Sequence, residues 1–253
     1  MLIKKEFLTI FQTFSNLNIV KQTLPTVIAE TNRNNAALIV WDCTTTNNRF
    51  QKQKYLLDLR LNDNFFLVLS DNLSVADSRN TCLYMGQQLF CPEYICIIDD
   101  DHGYRPGVIK ALVLTMKKYY GQKSPNGLKY GMFTACGTHR RGQLAMLPDG
   151  NFYPVRGTNP NLIGGQNGCF RCAPTSHWNN IIKGYDSDEY LLSCYQSSGA
   201  NRRNYHNGFT IMRVGNGNYS FQIPNVGRGT SARQLIFDPI FTASDNRAKF
   251  KKD

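Results

Sequence analysis

Three consecutive carboxylates, Asp99, Asp100 and Asp101, directly follow the apolar segment YICII. A continuous apolar run of this kind is typical of a parallel strand covered on both faces, and ligands of open α/β sheets collect at the carboxyl ends of such strands. Adjacent like charges repel one another, so a fold that concentrates them usually binds a hard cation or a polar ligand there. The run therefore indicates a site for a metal bound to a diphosphate. A solvated acidic turn that caps a helix near Pro106 is the structural alternative.

The elements that must position this acidic run alternate between strand and helix. Apolar runs predict strands over residues 8–14, 36–43, 65–69, 94–98 and 209–214, and helical spacing predicts helices over 19–32, 50–59, 74–89, 106–120 and 187–197. The glycine-rich middle of the chain predicts hairpins and loops around residues 130–136 and 143–148. This alternation is typical of an α/β fold, with a mostly parallel sheet and helices on both faces.

Length and composition are those of a globular protein. The chain has 253 residues, of which 42% are hydrophobic and 12% aromatic, and this is enough for one large core. We expect a single domain over residues 1–253. Neither a signal peptide nor an apolar run of about 18 residues is present, and this pattern predicts a cytoplasmic protein.

The net charge of +11 indicates an anionic partner. Basic residues are dispersed along the chain, and no nucleic-acid-binding module is recognisable, so we expect no nucleic-acid partner. The basic tail from Arg247 to Lys252 is either solvated or in peripheral contact with a membrane surface.

The eight cysteines are scattered, and several lie inside apolar runs, which predicts buried free thiols. Cys169 and Cys172 form a CxxC pair, but no second pair stands at zinc-finger spacing, so we do not expect zinc.

Four motifs occur in a fixed order: LTIFQTFSN, VWDCTT, NLSVADSRN and IIDDDH. Together they resemble the GT-A fold nucleotide-sugar glycosyltransferases, and most closely glycosyltransferase family 2, over residues 8–215. The first motif has Gln12 where the family has proline, and the third has Ser78 where the family has alanine. The resemblance implies a nucleotide-binding half over residues 1–120, an acceptor-side half over 121–215 and an irregular basic tail over 216–253.

The resemblance also implies roles for the donor-side residues. Thr13 matches the turn after the first strand, and Asp42 matches the carboxylate that contacts the donor base. Arg79 matches the arginine of the alanine-arginine-asparagine ending. Asp101 would ligate Mn²⁺ or Mg²⁺ with Asp99, and Asp99 and Asp100 would support the metal or hold the ribose.

On the acceptor side, the segment GGQNGCFRC resembles the glycine-rich stretch that borders the sugar, and this implies roles for Gly165, Gln166 and Asn167. The acidic pair Asp188 and Glu189 resembles the pair that supplies the catalytic base. The order here is Asp-Glu instead of Glu-Asp, so Glu189 is the expected base, while the assignment between the two acids stays open. Both could instead be first-turn acids that complement a helix dipole.

Two histidines are further candidates for the metal. His102 follows the acidic run, where we expect an exposed loop histidine more than a ligand. His206, in the segment NYHNG, is the other candidate and would complete a metal site from the C-terminal side.

The resemblance implies a metal-dependent, inverting transferase that moves a sugar from a UDP-sugar to a hydroxyl of a glycan or lipid-linked acceptor. A retaining transferase of the same fold would share the metal motif without needing a base at Glu189. A non-catalytic binding module of the same fold is a further alternative. A nucleotidyltransferase is disfavoured, because the segment SNLNIV lacks a glycine-rich loop.

Overall fold

The computed structural model describes residues 3–13, 17–42, 44, 49–59, 63–70, 75–123, 129–135, 144–146, 152–154, 170–183, 209–214 and 219–222. The helices are α1 (Leu17–Asn32), α2 (Arg49–Asp58), α3 (Val75–Phe90), α4 (Val108–Tyr119) and α5 (Thr175–Lys183). The strands are β1 (Phe7–Thr13), β2 (Ala36–Asp42), β3 (Phe65–Leu69), β4 (Tyr94–Asp99), β5 (His102–Tyr104), β6 (Lys129–Thr134), β7 (Leu144–Met146), β8 (Phe152–Pro154), β9 (Phe170–Pro174), β10 (Phe209–Arg213) and β11 (Ser220–Gln222). Within the described part of the chain, no helix combines the length and the apolar character needed to cross a bilayer.

The main sheet has seven strands in the order β10-β6-β9-β4-β1-β2-β3. Strands β4, β1, β2 and β3 are parallel, whereas β9 runs antiparallel to both β4 and β6. The sheet is therefore mixed but mostly parallel, and the predicted α/β class is confirmed.

Helices cover the sheet on both faces, as predicted. Alternate residues of β1 point to opposite sides: Phe7 and Phe11 pack into the core beneath α1, α2 and α4, whereas Leu8 and Ile10 pack beneath α3 and α5. Helix α3 packs closely on β1 at Gly86. A Cβ added to Gly86 would lie 2.2 Å from Leu8 Cδ2, so a larger residue would clash there. Burial on both faces explains the continuous apolar runs of the central strands.

A side chain from another helix caps α4. The residue before the helix is Gly107, which has a φ of 88° and no side chain with which to cap. Glu30 of α1 supplies the acceptor instead, since its Oε1 accepts hydrogen bonds from Gly107 N at 2.9 Å and from Ile109 N at 3.4 Å. The helix begins at Val108, two residues after the predicted start at Pro106.

The second half of the chain differs most from the predictions. Strand β6, expected to lie in a hairpin or loop region, is part of the main sheet, where it pairs with β10 and β9. Strand β9, expected as part of a glycine-rich segment, inserts between β6 and β4. Strands β7 and β8 do form an antiparallel pair. The helix predicted over residues 187–197 lies outside the described residues.

Candidate functional site

The carboxyl ends of β1, β2 and β4 meet at one edge of the sheet. Thr13 at the end of β1 is in register with Asp42 at the end of β2, and Gln12 is in register with Asp99 at the end of β4. Asp100 and Asp101 follow immediately. The parallel topology thus brings together the donor-side residues predicted on these strands.

Asp42 forms a completely buried ion pair with Lys52 of α2, because both side chains have no solvent-exposed area. Its Oδ1 lies 3.1 Å from Lys52 Nζ and accepts hydrogen bonds from Thr44 Oγ1 at 2.5 Å and from Thr44 N at 3.3 Å. Lys52 Nζ also donates to Thr44 Oγ1 at 2.6 Å. The other carboxylate oxygen, Oδ2, is buried and has no hydrogen-bond partner among the described residues.

The sequence analysis did not find Lys52, although a signal was present. Lys52 and Leu56 are the buried residues of α2 and stand four positions apart, on one face of the helix. A lysine on the apolar face of a helix needs a buried acid, and the preceding strand ends in one.

Asp99 forms an ion pair on the opposite face of the sheet. Arg79 of α3 donates from Nη2 to Asp99 Oδ1, and the side chains are 6% and 13% exposed, respectively. Arg79 therefore contacts the acidic run itself, and the end of β4 keeps some contact with solvent.

Asp100 is buried and forms hydrogen bonds that connect the acidic run to β1 and to α1. Its Oδ2 accepts a hydrogen bond from Thr13 Oγ1 at 3.1 Å, and its backbone oxygen accepts one from Thr23 Oγ1 at 2.7 Å. These bonds hold the turn that follows β4, so Thr13 and Asp100 position the run as well as being predicted to bind the donor.

Asp101 and His102 are both buried, and Asp101 Oδ1 lies 2.7 Å from His102 Nδ1. The expectation of an exposed loop histidine is therefore wrong. His102 is the first residue of β5, which pairs with β11, and its ring packs edge-on against Phe170 of β9 with the centroids 6.3 Å apart.

The acidic run has the right chemistry for Mn²⁺ or Mg²⁺, since both cations prefer carboxylate oxygen. Among the described residues, no group of three or more His, Cys, Asp or Glu side chains is placed to hold a metal. A protein can also bind such a cation with one or two carboxylates, while phosphate and water fill the other coordination positions. A site of this kind needs no cluster of three side chains. The roles of Asp99, which is paired with Arg79, and of Asp101, which is paired with His102, as metal ligands stay predictions.

Some predicted site residues lie outside the described residues. These are the acceptor-side residues Gly165, Gln166 and Asn167, the acids Asp188 and Glu189, and His206. Their roles stay predictions.

The cysteines described by the structure are free. Cys82, Cys96 and Cys172 are buried, as expected, but Cys91 is exposed. Burial raises the pKa of the Cys172 thiol well above its usual value, and the Sγ of this residue lies 3.6 Å from Met116 Sδ. Cys172 is thus a protonated packing group in β9.

Comparison of the sequence with protein-family models and with curated proteins finds no match. Comparison of the structure finds many solved structures with a similar fold. One is the mannosyltransferase PcManGT from Pyrobaculum calidifontis in complex with GDP-Man and Mn²⁺, with a TM-score of 0.52, 11% identity, and coverage of 92% of this chain and 60% of that one. Another is GalNAc-T7 with UDP, GalNAc and Mn²⁺, with a TM-score of 0.52, 10% identity, and coverage of 87% and 44%.

This chain spans 60% and 44% of the lengths of those two proteins, and at such identities the likeness establishes the fold and nothing finer. Membership of glycosyltransferase family 2 stays a prediction. The chain has the GT-A fold, the fold of these nucleotide-sugar glycosyltransferases, as the order of its motifs predicted.

Proposed function

We propose that the protein is a metal-dependent glycosyltransferase that moves a sugar from a UDP-sugar to a hydroxyl of a glycan or lipid-linked acceptor, with inversion. The observation that carries this proposal is the meeting of Thr13, Asp42 and the acidic run at one edge of a GT-A sheet. The carboxyl ends of parallel strands are where ligands of open α/β sheets bind.

Asp42 receives the base of the donor. This role rests on the sequence resemblance; in the structure Oδ1 is held by Lys52 and Thr44, and the buried Oδ2 has no hydrogen-bond partner among the described residues. A buried carboxylate oxygen without a donor is costly, and a ligand that supplies one removes this cost.

The acidic run receives the diphosphate end. Asp101 and Asp99 would hold the cation, which when bound stabilises the negative charge that develops on the departing diphosphate. Arg79 keeps the Asp99 carboxylate at the end of β4, and Thr13 keeps Asp100 in place behind it.

Inversion requires a carboxylate that takes the proton of the acceptor hydroxyl as the new bond forms. Glu189 is proposed as this base, with Asp188 beside it. This part of the proposal rests on the sequence resemblance, and so does the nature of the acceptor.

The first test is a calorimetric titration of UDP, with and without Mn²⁺, into the wild-type protein and into Asp101→Asn. We expect UDP binding that depends on Mn²⁺ in the wild type and is at least about tenfold weaker in Asp101→Asn, because this change removes the charge that holds the cation. Asp63→Asn is the matched control, since Asp63 is exposed and precedes β3 at the opposite end of the strands.

Binding of UDP that is indifferent to Mn²⁺ would remove the metal from the proposal. If no nucleoside diphosphate binds in the presence of Mn²⁺, the proposal is wrong and a non-catalytic module of the same fold takes its place. Release of UDP from a UDP-sugar in the presence of Mn²⁺, and its loss in Glu189→Gln, would test the chemical step.

A further inference from the structure

We infer that α1 positions the acidic run through a row of three side chains, Thr23, Thr26 and Glu30, which hold the segment from Asp100 to Ile109. This inference rests on the proposed function, because it requires the acidic run to bind a cation. It deepens that function by naming positioning residues that lie outside the run and set its affinity for the cation. The resemblance implies no role for any of the three.

The row lies on one face of α1, because its members are three and four positions apart. Thr23 Oγ1 donates to Asp100 O at 2.7 Å, and Tyr104 N donates to Thr26 Oγ1 at 3.0 Å. These bonds join residues that are 77 and 78 positions apart in the chain. The order of the row along the helix therefore follows the path of the segment after β4.

Glu30 holds the far end of this segment, where α4 begins. Its side chain is buried, and its Oε1 accepts hydrogen bonds from Gly107 N at 2.9 Å and from Ile109 N at 3.4 Å. The first N–H groups of a helix have no partner within it, and a carboxylate at this end also complements the helix dipole. One helix thus holds the segment at its beginning, its middle and its end.

Helix α1 can act as a template because its other buried side chains fix it on the sheet. Val20, Leu24 and Val27 have no exposed area and belong to the hydrophobic core. Close packing of this kind allows little displacement of the helix. Tyr104 adds a second connection, since its hydroxyl forms a hydrogen bond with Thr9 Oγ1 of β1 at 3.1 Å. The segment is therefore fixed to the sheet through both α1 and β1.

The contact of Thr23 matters most for the cation, because it is made to the acidic run itself. Asp99 and Asp101, the predicted ligands, are the two neighbours of Asp100 in the chain. Residues that hold metal ligands by hydrogen bonds usually change the metal affinity by about 10- to 100-fold when they are lost. The influence of the row on the cation should therefore be greatest at Thr23 and decrease towards Glu30.

The experiment measures UDP binding by calorimetry at a series of Mn²⁺ concentrations and determines the concentration at which the association constant for UDP reaches half its maximum. We expect Thr23→Val to raise this concentration about tenfold, because valine keeps the shape of the side chain and removes the donor to Asp100 O. Thr23→Ser keeps the hydroxyl and should stay close to the wild type.

The matched control is Thr31→Val, which makes the same change on the same helix. Thr31 is buried, and its hydroxyl donates to Val27 O at 2.8 Å, within α1. Thr23 has the same kind of bond, to Ile19 O at 3.0 Å, in addition to its bond with Asp100. The two valine variants lose the same helical contact and differ in the contact with the acidic run. Thr31→Val should therefore keep the Mn²⁺ dependence of the wild type.

A comparison along the row separates positioning from stability. Glu30→Met removes the acceptor of two backbone N–H groups at the start of α4, so it should destabilise the protein in urea at least as much as Thr23→Val. Its effect on the Mn²⁺ concentration should nevertheless be smaller, and the effect of Thr26→Val should lie between the two. A row with a purely structural role would give Mn²⁺ effects that follow the losses in stability.

The outcomes separate this inference from the proposed function. Equal shifts in Thr23→Val and Thr31→Val, or shifts that follow stability along the row, overturn the inference, while Mn²⁺-dependent binding in the wild type still supports a transferase. A wild type whose UDP binding does not depend on Mn²⁺ removes the metal from the proposed function and overturns the inference with it.

Discussion

The ends of β2 and β4 lie on either side of β1, and at each of them a carboxylate with little or no exposure to solvent must be neutralised. Each strand ends in an aspartate, and each aspartate is paired with a cation from a helix: Asp42 with Lys52, and Asp99 with Arg79. The first pair is closed to solvent, whereas the side chains of the second are 6% and 13% exposed. The difference indicates a fixed ion pair at the end of β2 and a more adaptable one at the end of β4.

The largest expected effect comes from breaking the closed pair. Lys52→Met leaves the Asp42 carboxylate buried without its cation, and loss of one partner of a buried pair costs about 3–5 kcal/mol in the free energy of unfolding. Urea denaturation at pH 7 measures this cost. The double variant Asp42→Asn/Lys52→Met should recover most of it, since it leaves no uncompensated charge. A single variant that loses less than about 1 kcal/mol would contradict the closed-pair description.

Breaking the more open pair should cost less. Arg79→Gln is expected to lower the free energy of unfolding by about 2–3 kcal/mol, because Asp99 keeps some contact with water when its partner is lost. The matched control is Lys117→Gln, which breaks an exposed pair with Glu6 and should cost less than about 1 kcal/mol. The comparison of the two strand ends fails if Arg79→Gln proves more damaging than Lys52→Met.

Groups away from the two strand ends also contribute to the loss of stability in acid. Their contribution must be separated from that of the ion pairs at the strand ends. Burial lowers the pKa of His177 from 6.5 to about 4, and its ring packs edge-on against Tyr120. The unfolded chain therefore binds a proton between pH 6.5 and pH 4 that the folded protein does not. Stability is retained above pH 6.5, and about 2 kcal/mol is lost between pH 7 and pH 5.

His177→Phe keeps an aromatic ring in this position and removes the titrating group. Urea unfolding at the two pH values should show a smaller decrease in this variant than in the wild type. An unchanged decrease would assign the acid sensitivity to other groups, the two strand ends among them.

The smallest expected effect concerns the hydrogen bond that holds the turn after β4. Thr13→Val keeps the shape of the side chain but removes the donor to Asp100 Oδ2, and it should cost about 1–2 kcal/mol in the free energy of unfolding. Thr13→Ser keeps the hydroxyl and should cost less. A larger loss in Thr13→Ser than in Thr13→Val would show that the methyl group, and not the hydrogen bond, matters at this position.

The first four strands and the first three helices were predictable to within about two residues, because their signals are local. Burial on both faces gives a strand a continuous apolar run, and one-sided burial gives a helix its periodic pattern. The insertion of β9 between β6 and β4 was not predictable in this way. Its partners are distant in the chain, and its own sequence, FRCAP, is interrupted by Arg171 and Pro174 and so forms no continuous apolar run.

The amino-acid sequence by itself determined that acids stand at the ends of buried strands, since both the apolar runs and the carboxylates are read directly from the chain. Only the tertiary structure decided which cation meets which acid. Lys52 and Arg79 reach Asp42 and Asp99 because α2 and α3 pack on opposite faces of the sheet with particular rotations. It also decided that His102 is buried, because β11, more than a hundred residues later, pairs with its strand. The contacts of Arg79 and His102 depend on packing between separate segments, and no local pattern encodes them.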